Sequence, residues 1–174
     1  MEKAGKVSIN RVLQIALVVK DLEKSMKMYW EVFGIGPWRI ITFQPPALTN
    51  PKVRGKLEPF TMKLGITQLG NIQWELIQPL TGNSIYKEFL DKNGEGLHHV
   101  AVDVGNYDQA IATMKRHGIE VLMSGQMPAD SFAYMDTEKV LGTVIEIYKR
   151  SPGFKPTPPE ATYPPDFPVI QKRA

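Results

Sequence analysis

Two stretches of this chain carry the same local pattern, and that repeat constrains the fold more than any other feature. Residues 12–19 form a nearly continuous apolar run interrupted by Gln14, and residues 97–104 form a matching run interrupted by His99 and Asp103. Runs of this length and composition read as buried strands. Each is followed by a polar turn and a helical spacing of apolar residues: Leu22, Met26, Tyr29 and Phe33 after Asp21, then Tyr107, Ile111 and Met114 after Asn106. Asp21 and Asn106 suit N-caps, with Gln109 placed to complete a box with Asn106, and Gly34 and Gly118 suit helix stops. Each half then closes on a further strand, residues 72–78 and 143–149, and each of these holds one glutamate among apolar neighbours, Glu75 and Glu146. Between helix and closing strand the first half has room for strands at 38–43 and 61–68, separated by a polar, proline-bearing loop over 44–58. The second has room at 121–123 and 132–135. The expected fold class is α+β: two βαβββ modules, residues 9–80 and 95–150, forming a curved mixed sheet around a central cleft within a single domain of residues 1–150.

Composition narrows the company this domain keeps. With 43% apolar and 22% charged residues, the 174-residue chain has the balance of a folded globule. It has no cysteine, so any metal must be held by oxygen and imidazole nitrogen, and a reducing cytoplasmic location is expected. The first ten residues contain no apolar leader core, and no run approaches the ~20 apolar residues of a membrane span, so neither secretion nor membrane insertion is expected. A net charge of +3 with scattered basic residues speaks against a nucleic-acid partner and suits an anionic small molecule. Beyond residue 150 the apolar periodicity ends and seven of 24 residues are proline. Residues 151–174 are therefore expected to be an extended tail without ladder bonds, an arm on the surface or on the partner subunit of a homodimer.

Alternation along the strands places candidate chemistry. In residues 97–104 one face carries Val100, Val102 and Val104, which suits the helix; the other carries His99 and is expected to face the cleft. By the same reading Gln14 faces the cleft in the first strand, and the repeat pairs Gln14 with His99 and Glu75 with Glu146. A carboxylate inside an apolar strand is costly to bury unless it is paired or bound to a cation, and here there are two. Gln14, Glu75, His99 and Glu146 are therefore the candidate ligands of a divalent metal: Co, Ni, Zn, Mn or Mg all suit hard oxygens plus one imidazole. Glu146 and Glu75 are also the candidate catalytic acid–base groups. His98 is expected to pack or hydrogen-bond on the opposite face, and His117 to be a solvated helix-end residue. Trp38, Phe60, Trp74 and Tyr134 are candidate cleft aromatics.

On these residues the chain resembles the vicinal-oxygen-chelate superfamily, which includes glyoxalase I, methylmalonyl-CoA epimerase, extradiol dioxygenases and bleomycin-resistance proteins. The resemblance spans residues 10–150. The runs 84–90 and 93–101, and Glu75-Leu76-Ile77-Gln78-Pro79-Leu80, look specifically like the epimerase branch. It implies a glyoxalase-like fold, metal ligands at Gln14, Glu75, His99 and Glu146, and a divalent-metal-dependent epimerase that abstracts an α-proton from an acyl-CoA thioester of the methylmalonyl-CoA kind. Where epimerases of that branch carry histidine this chain has Gln14, and the set Gln, Glu, His, Glu is that of some glyoxalase I enzymes, so a lactoylglutathione lyase is the alternative. A non-catalytic binding protein with the same cleft is the third reading. An iron-dependent dioxygenase needs two histidines and is disfavoured. Glu58 is the lone acid of the segment where epimerases place a second carboxylate, and Lys52, Arg54 and Lys56 are candidates to meet CoA phosphates.

Overall fold

Parallel pairing inside each half and antiparallel pairing between the halves set the architecture. In the computed structural model, which describes residues 5–127, 130–150, 152, 156–165 and 167, the first half runs β1 (Ile9–Val18), α1 (Leu22–Phe33), β2 (Trp38–Phe43), β3 (Thr49–Val53), β4 (Lys56–Leu57), β5 (Thr61–Leu69) and β6 (Ile72–Thr81). A helix, α2 (Ile85–Asn93), leads to the second half: β7 (Gly96–Val104), α3 (Tyr107–Arg116), β8 (Val121–Met127), β9 (Asp130–Met135), α4 (Glu138–Leu141) and β10 (Val144–Arg150), followed by β11 (Ala161–Tyr163). The strands form one open sheet in the order β11-β2-β5-β6-β1-β7-β10-β9-β8-β3-β4. β1 lies parallel to β6 and β7 parallel to β10, while β1 and β7 run antiparallel at the centre. The order β2-β5-β6-β1 is thus mirrored by β8-β9-β10-β7, and the β1/β7 seam is the local two-fold. The expected α+β fold of two βαβββ modules is the observed one.

Local chemistry explains the helices. Asp21 Oδ1 accepts from the Lys24 N–H at 3.0 Å and Asn106 Oδ1 from that of Gln109 at 2.9 Å, so both expected N-caps form. α1 ends at Gly34, whose φ of 64° is the left-handed conformation that glycine adopts without strain. Leu22 and Met26 bury the inner face of α1 against Trp38, Ile40 and Leu76. Each such side chain contributes about 1.5–3 kcal/mol on leaving water. Ala110 and Met114 of α3 pack on Val102, Val104, Ala133 and Ile147. The third cluster lies between the modules and includes Phe43, Phe60, Met62, Tyr86, Phe132 and Tyr134.

Three expectations are corrected. The segment 44–58 is not a plain loop: β3 pairs antiparallel with β8, Lys52 opposite Ser124 and Val53 opposite Met123. An insertion of the first module therefore extends the sheet of the second, anchored by buried Leu48 and Val53. Second, α2 is a helix that the strand-by-strand reading left out. Ser84 caps it, accepting from the Lys87 N–H at 3.2 Å, and Ile85, Tyr86, Phe89 and Leu90 turn toward the core. Third, the proline-rich tail does make ladder bonds. Residues 161–163 pair antiparallel with β2, with Ala161 opposite Ile40 and Tyr163 opposite Trp38. The Glu160 N–H donates to the Ile40 carbonyl at 2.9 Å. The three-residue strand fits between prolines, which stand where no N–H is needed.

Candidate active site

Register across the seam gathers the four candidate residues around two alanines. Ala16 lies opposite Glu75 on β6 and His99 on β7; Ala101 lies opposite Gln14 on β1 and Glu146 on β10. Both alanines are fully buried, and their small side chains leave room above them for the four longer ones. Exposure is 2% for Gln14, 5% for Glu75, 0% for His99 and 2% for Glu146, so none of the four is the solvated surface residue that its type usually is.

The contacts are short. His99 Nε2 lies 3.1 Å from a Glu146 carboxylate oxygen and 3.9 Å from one of Glu75. The Tyr148 hydroxyl sits 2.7 Å from Glu146 Oε2 and 3.0 Å from Gln14 Oε1, and the Gln14 amide donates to Gln73 at 2.7 Å. Burial pushes the Glu75 carboxyl well above its ordinary range; the nearby Glu146 charge pushes the same way, against a smaller opposing bond from Gln14. Burial, then Glu146, raises Tyr86, Tyr134 and Tyr148 well above the ordinary phenol range, so these hydroxyls remain donors at neutral pH. The Tyr86 hydroxyl donates to that of Tyr134 at 2.6 Å.

His98 departs from strict alternation. Ala16 pairs with His99 and Leu17 with Leu97, so His98 is the extra residue of a bulge. It turns under α2, with ring centroids 5.3 Å from Tyr86 and 5.2 Å from Phe89. The two imidazoles meet Nδ1 to Nδ1 at 2.9 Å. Burial, then His99, pushes His98 well below its ordinary value, so it is neutral.

Does this set suit a cation? His99 Nε2 is fully buried and has no hydrogen-bond partner among the described residues, although two carboxylates stand beside it. With the proton of the His98–His99 contact on His99 Nδ1, the Nε2 lone pair points at the carboxylates, the arrangement in which histidine ligates metals. Two carboxylates, an amide oxygen and an imidazole match the charge and hardness of a divalent ion. The residues fit. That fit is one of donor types: among the described residues no group of three or more His, Asp and Glu stands placed to hold a metal ion.

The site opens into a cavity of about 150 Å³, a size that elsewhere accepts a benzene-sized guest. One wall is Ile41, Phe43, Met62, Leu64 and Ile66; the other is Phe132, Tyr134 and Tyr148. Arg39, Arg150 and Asp130 also line it, as do Pro156 and Thr157 of the tail. Of the expected cleft aromatics Tyr134 is present, whereas Trp38 and Trp74 pack in the cluster beneath α1, and Phe60 is core. Glu58 is half-buried and accepts from Asn83 at 3.3 Å, away from the cleft lining. Arg54 is held by Glu88 through two bonds of 2.7 Å, and His117 is exposed at the end of α3, its Nε2 3.0 Å from the Gly5 carbonyl. Tyr148 was missed in sequence, yet it follows Glu146 by two residues and so shares its strand face.

A family model described as Glyoxalase/Bleomycin resistance protein/Dioxygenase superfamily matches residues 13–134, and the chain belongs to that superfamily. It is 32% identical over 123 residues to the mitochondrial methylmalonyl-CoA epimerase of Bos taurus and 29% identical over 115 residues to that of Mus musculus. These matches cover 68% and 66% of this chain but 61% and 57% of the relatives. The chain thus spans roughly three fifths of their length. Among solved structures it resembles methylmalonyl-CoA epimerase from Mycobacterium tuberculosis, with TM-score 0.59, 18% identity, and coverage of 86% of this chain and 93% of that one. It likewise resembles a Streptomyces coelicolor methylmalonyl-CoA epimerase variant in complex with 2-nitronate-propionyl-CoA, with TM-score 0.62, 18% identity, and coverage of 86% and 100%. At such identity the structural likeness speaks to fold.

Proposed function

We propose that this protein is a divalent-metal-dependent epimerase that moves the α-proton of an acyl-CoA thioester of the methylmalonyl-CoA kind. The observation that carries the reading is the pair of buried carboxylates, Glu75 and Glu146, flanking a buried His99 Nε2 that has no hydrogen-bond partner among the described residues, at the floor of a small cavity. Gln14, Glu75, His99 and Glu146 would hold the ion, which when bound supplies the positive charge that makes an enolate oxygen accessible near neutral pH. The chain supplies the rest. Epimerisation needs a proton carrier on each face of the reacting carbon, and the two carboxylates come from different modules, on either side of the seam. Glu146 is the leading base: Tyr148 bonds one of its oxygens and fixes its orientation. Glu75 is the group placed to return a proton from the other side. The cavity accepts an acyl group and leaves the bulk of a coenzyme outside, and its apolar walls exclude water from the reacting carbon.

The test is deuterium uptake at the α-carbon of methylmalonyl-CoA in D₂O, with cobalt-reconstituted protein, metal-stripped protein and Glu146→Gln. Metal-dependent uptake that the substitution abolishes is the expected result. Metal retention without exchange overturns the substrate and favours the second reading, a glyoxalase I-like lyase acting on a hemithioacetal, for which Gln14 speaks. A protein that neither retains a divalent ion nor gains thermal stability from one is a binding protein.

A further inference from the structure

The two-fold that builds the floor fails at the walls. From the seam outward, one register row of the sheet reads His99, Ala16, Glu75, Ile66, Arg39, on β7, β1, β6, β5 and β2. Its counterpart reads Gln14, Ala101, Glu146, Tyr134, Met123, on β1, β7, β10, β9 and β8. Where the second row ends in fully buried Met123, the first ends in Arg39, which lines the cavity. Arg39 lies two strands from Glu75 in the same row, about 10 Å between backbones at the usual inter-strand spacing, within the combined reach of an arginine side chain and a small ligand.

The guanidinium is partly buried, and burial lowers its pKa with no acid acting against that effect. Among the described residues no carboxylate pairs with it and no hydrogen bond engages it. Glu160, two residues before its cross-strand neighbour Thr162, accepts instead from Thr42 at 2.9 Å. Arginine is almost never fully buried unless paired, and one held half out of water on a cavity wall, with no acid paired to it among the described residues, is placed to gain from an anionic ligand that enters the cavity. Its planar fork matches the two oxygens of a carboxylate.

We propose that Arg39 selects the substrate: it binds a carboxylate carried by the acyl group, so the protein takes dicarboxylic acyl thioesters and rejects neutral ones. This rests on the acyl-thioester reading above. It explains why a charged group faces an otherwise apolar wall formed by Ile41, Phe43, Leu64 and Ile66. A neutral acyl group would leave the cation desolvated and unanswered.

The experiment is calorimetric binding of malonyl-CoA, butyryl-CoA and the malonyl thioester of N-acetylcysteamine, which lacks the CoA phosphates, to wild type, Arg39→Gln and Arg39→Lys. Melting temperatures confirm that the variants fold. Wild type is expected to bind malonyl-CoA at least tenfold more tightly than butyryl-CoA. Arg39→Gln is expected to erase that preference, losing roughly tenfold or more for both malonyl thioesters and little for butyryl-CoA. Arg39→Lys retains the charge without the fork and falls between them. Equal losses for malonyl-CoA and butyryl-CoA, with none for the truncated thioester, would assign Arg39 to a CoA phosphate and overturn the proposal. So would an unchanged preference in Arg39→Gln. If wild type binds no thioester at all, the acyl-CoA reading fails first, an outcome distinct from either.

Discussion

Replacing Glu75 by glutamine keeps the shape of the side chain and removes the charge that the fold holds out of water. Glu75 is 5% exposed, and its carboxyl is pushed well above the ordinary range by burial and, secondarily, by Glu146. A raised carboxyl pKa has a definite sign. The folded state binds the proton more tightly than the unfolded chain, whose glutamate titrates near 4.3. Stability from this group is therefore full below about that pH and is lost as pH rises through the folded-state value. In metal-stripped protein at pH 8, Glu75→Gln removes most of that penalty. The effective penalty of holding one ion out of water inside a protein is several kcal/mol, and at roughly 2–4 °C per kcal/mol for a chain of this size the melting temperature rises by several degrees. The advantage shrinks as the pH falls toward 4.5. A divalent ion reverses the order, because wild type gains about 2.7 kcal/mol at a hundred times its dissociation constant and the variant, one anionic ligand short, gains less. Scanning calorimetry at both pH values, with chelator and with Co²⁺, measures all of this. A stripped variant that melts at or below wild type at pH 8 would refute the claim that Glu75 is a buried carboxylate held for a cation.

Two further substitutions follow from the geometry. Tyr148→Phe deletes the hydroxyl between Glu146 and Gln14; it is expected to cost about 1–3 kcal/mol of stability through the buried acceptor left unpaired and to lower the rate of α-proton exchange more than thioester affinity, read by comparing kcat with KM. Gly82→Ala places a methyl 2.1 Å from the Pro59 carbonyl oxygen at a φ of 78°; both clash and backbone strain act, and a loss of about 2 kcal/mol or more in urea unfolding is expected.

The fold was legible because the chain states it twice. A single strand–helix–strand segment would have left the module open, whereas two copies with matching interruptions fixed its element order and which strand face meets the cleft. Gln14 and His99 were found because one polar residue in an apolar run stands out against the pattern. What escaped had a physical reason in each case. His98 packs and hydrogen-bonds as expected, but the side it takes lay hidden because a bulge breaks the period of two, and nothing local announces a bulge in Leu97-His98-His99-Val100. The segment 49–53 shows no alternation, and its pairing with β8 is a contact between modules that no local signal encodes. The short β11 is fixed by hydrogen bonds to β2 rather than by any propensity of a proline-rich sequence.

The division of labour in the cleft follows from where the two-fold holds and where it fails. On the floor it holds: each alanine is flanked by one carboxylate from its own module and one neutral donor from across the seam. Such a floor can cradle a cation but cannot by itself tell one end of a substrate from the other. Orientation requires unlike walls, and one step out the rows diverge, Ile66 against Tyr134, then Arg39 against Met123. One side offers a hydroxyl joined to Tyr86 and a neighbouring Tyr148 that grips Glu146; the other offers aliphatic surface ending in a guanidinium. A ligand with one anionic and one apolar end has a single favourable placement between them. On the epimerase reading proposed above, the reacting carbon would then lie over the seam, between Glu75 and Glu146, where proton transfer from either face requires it.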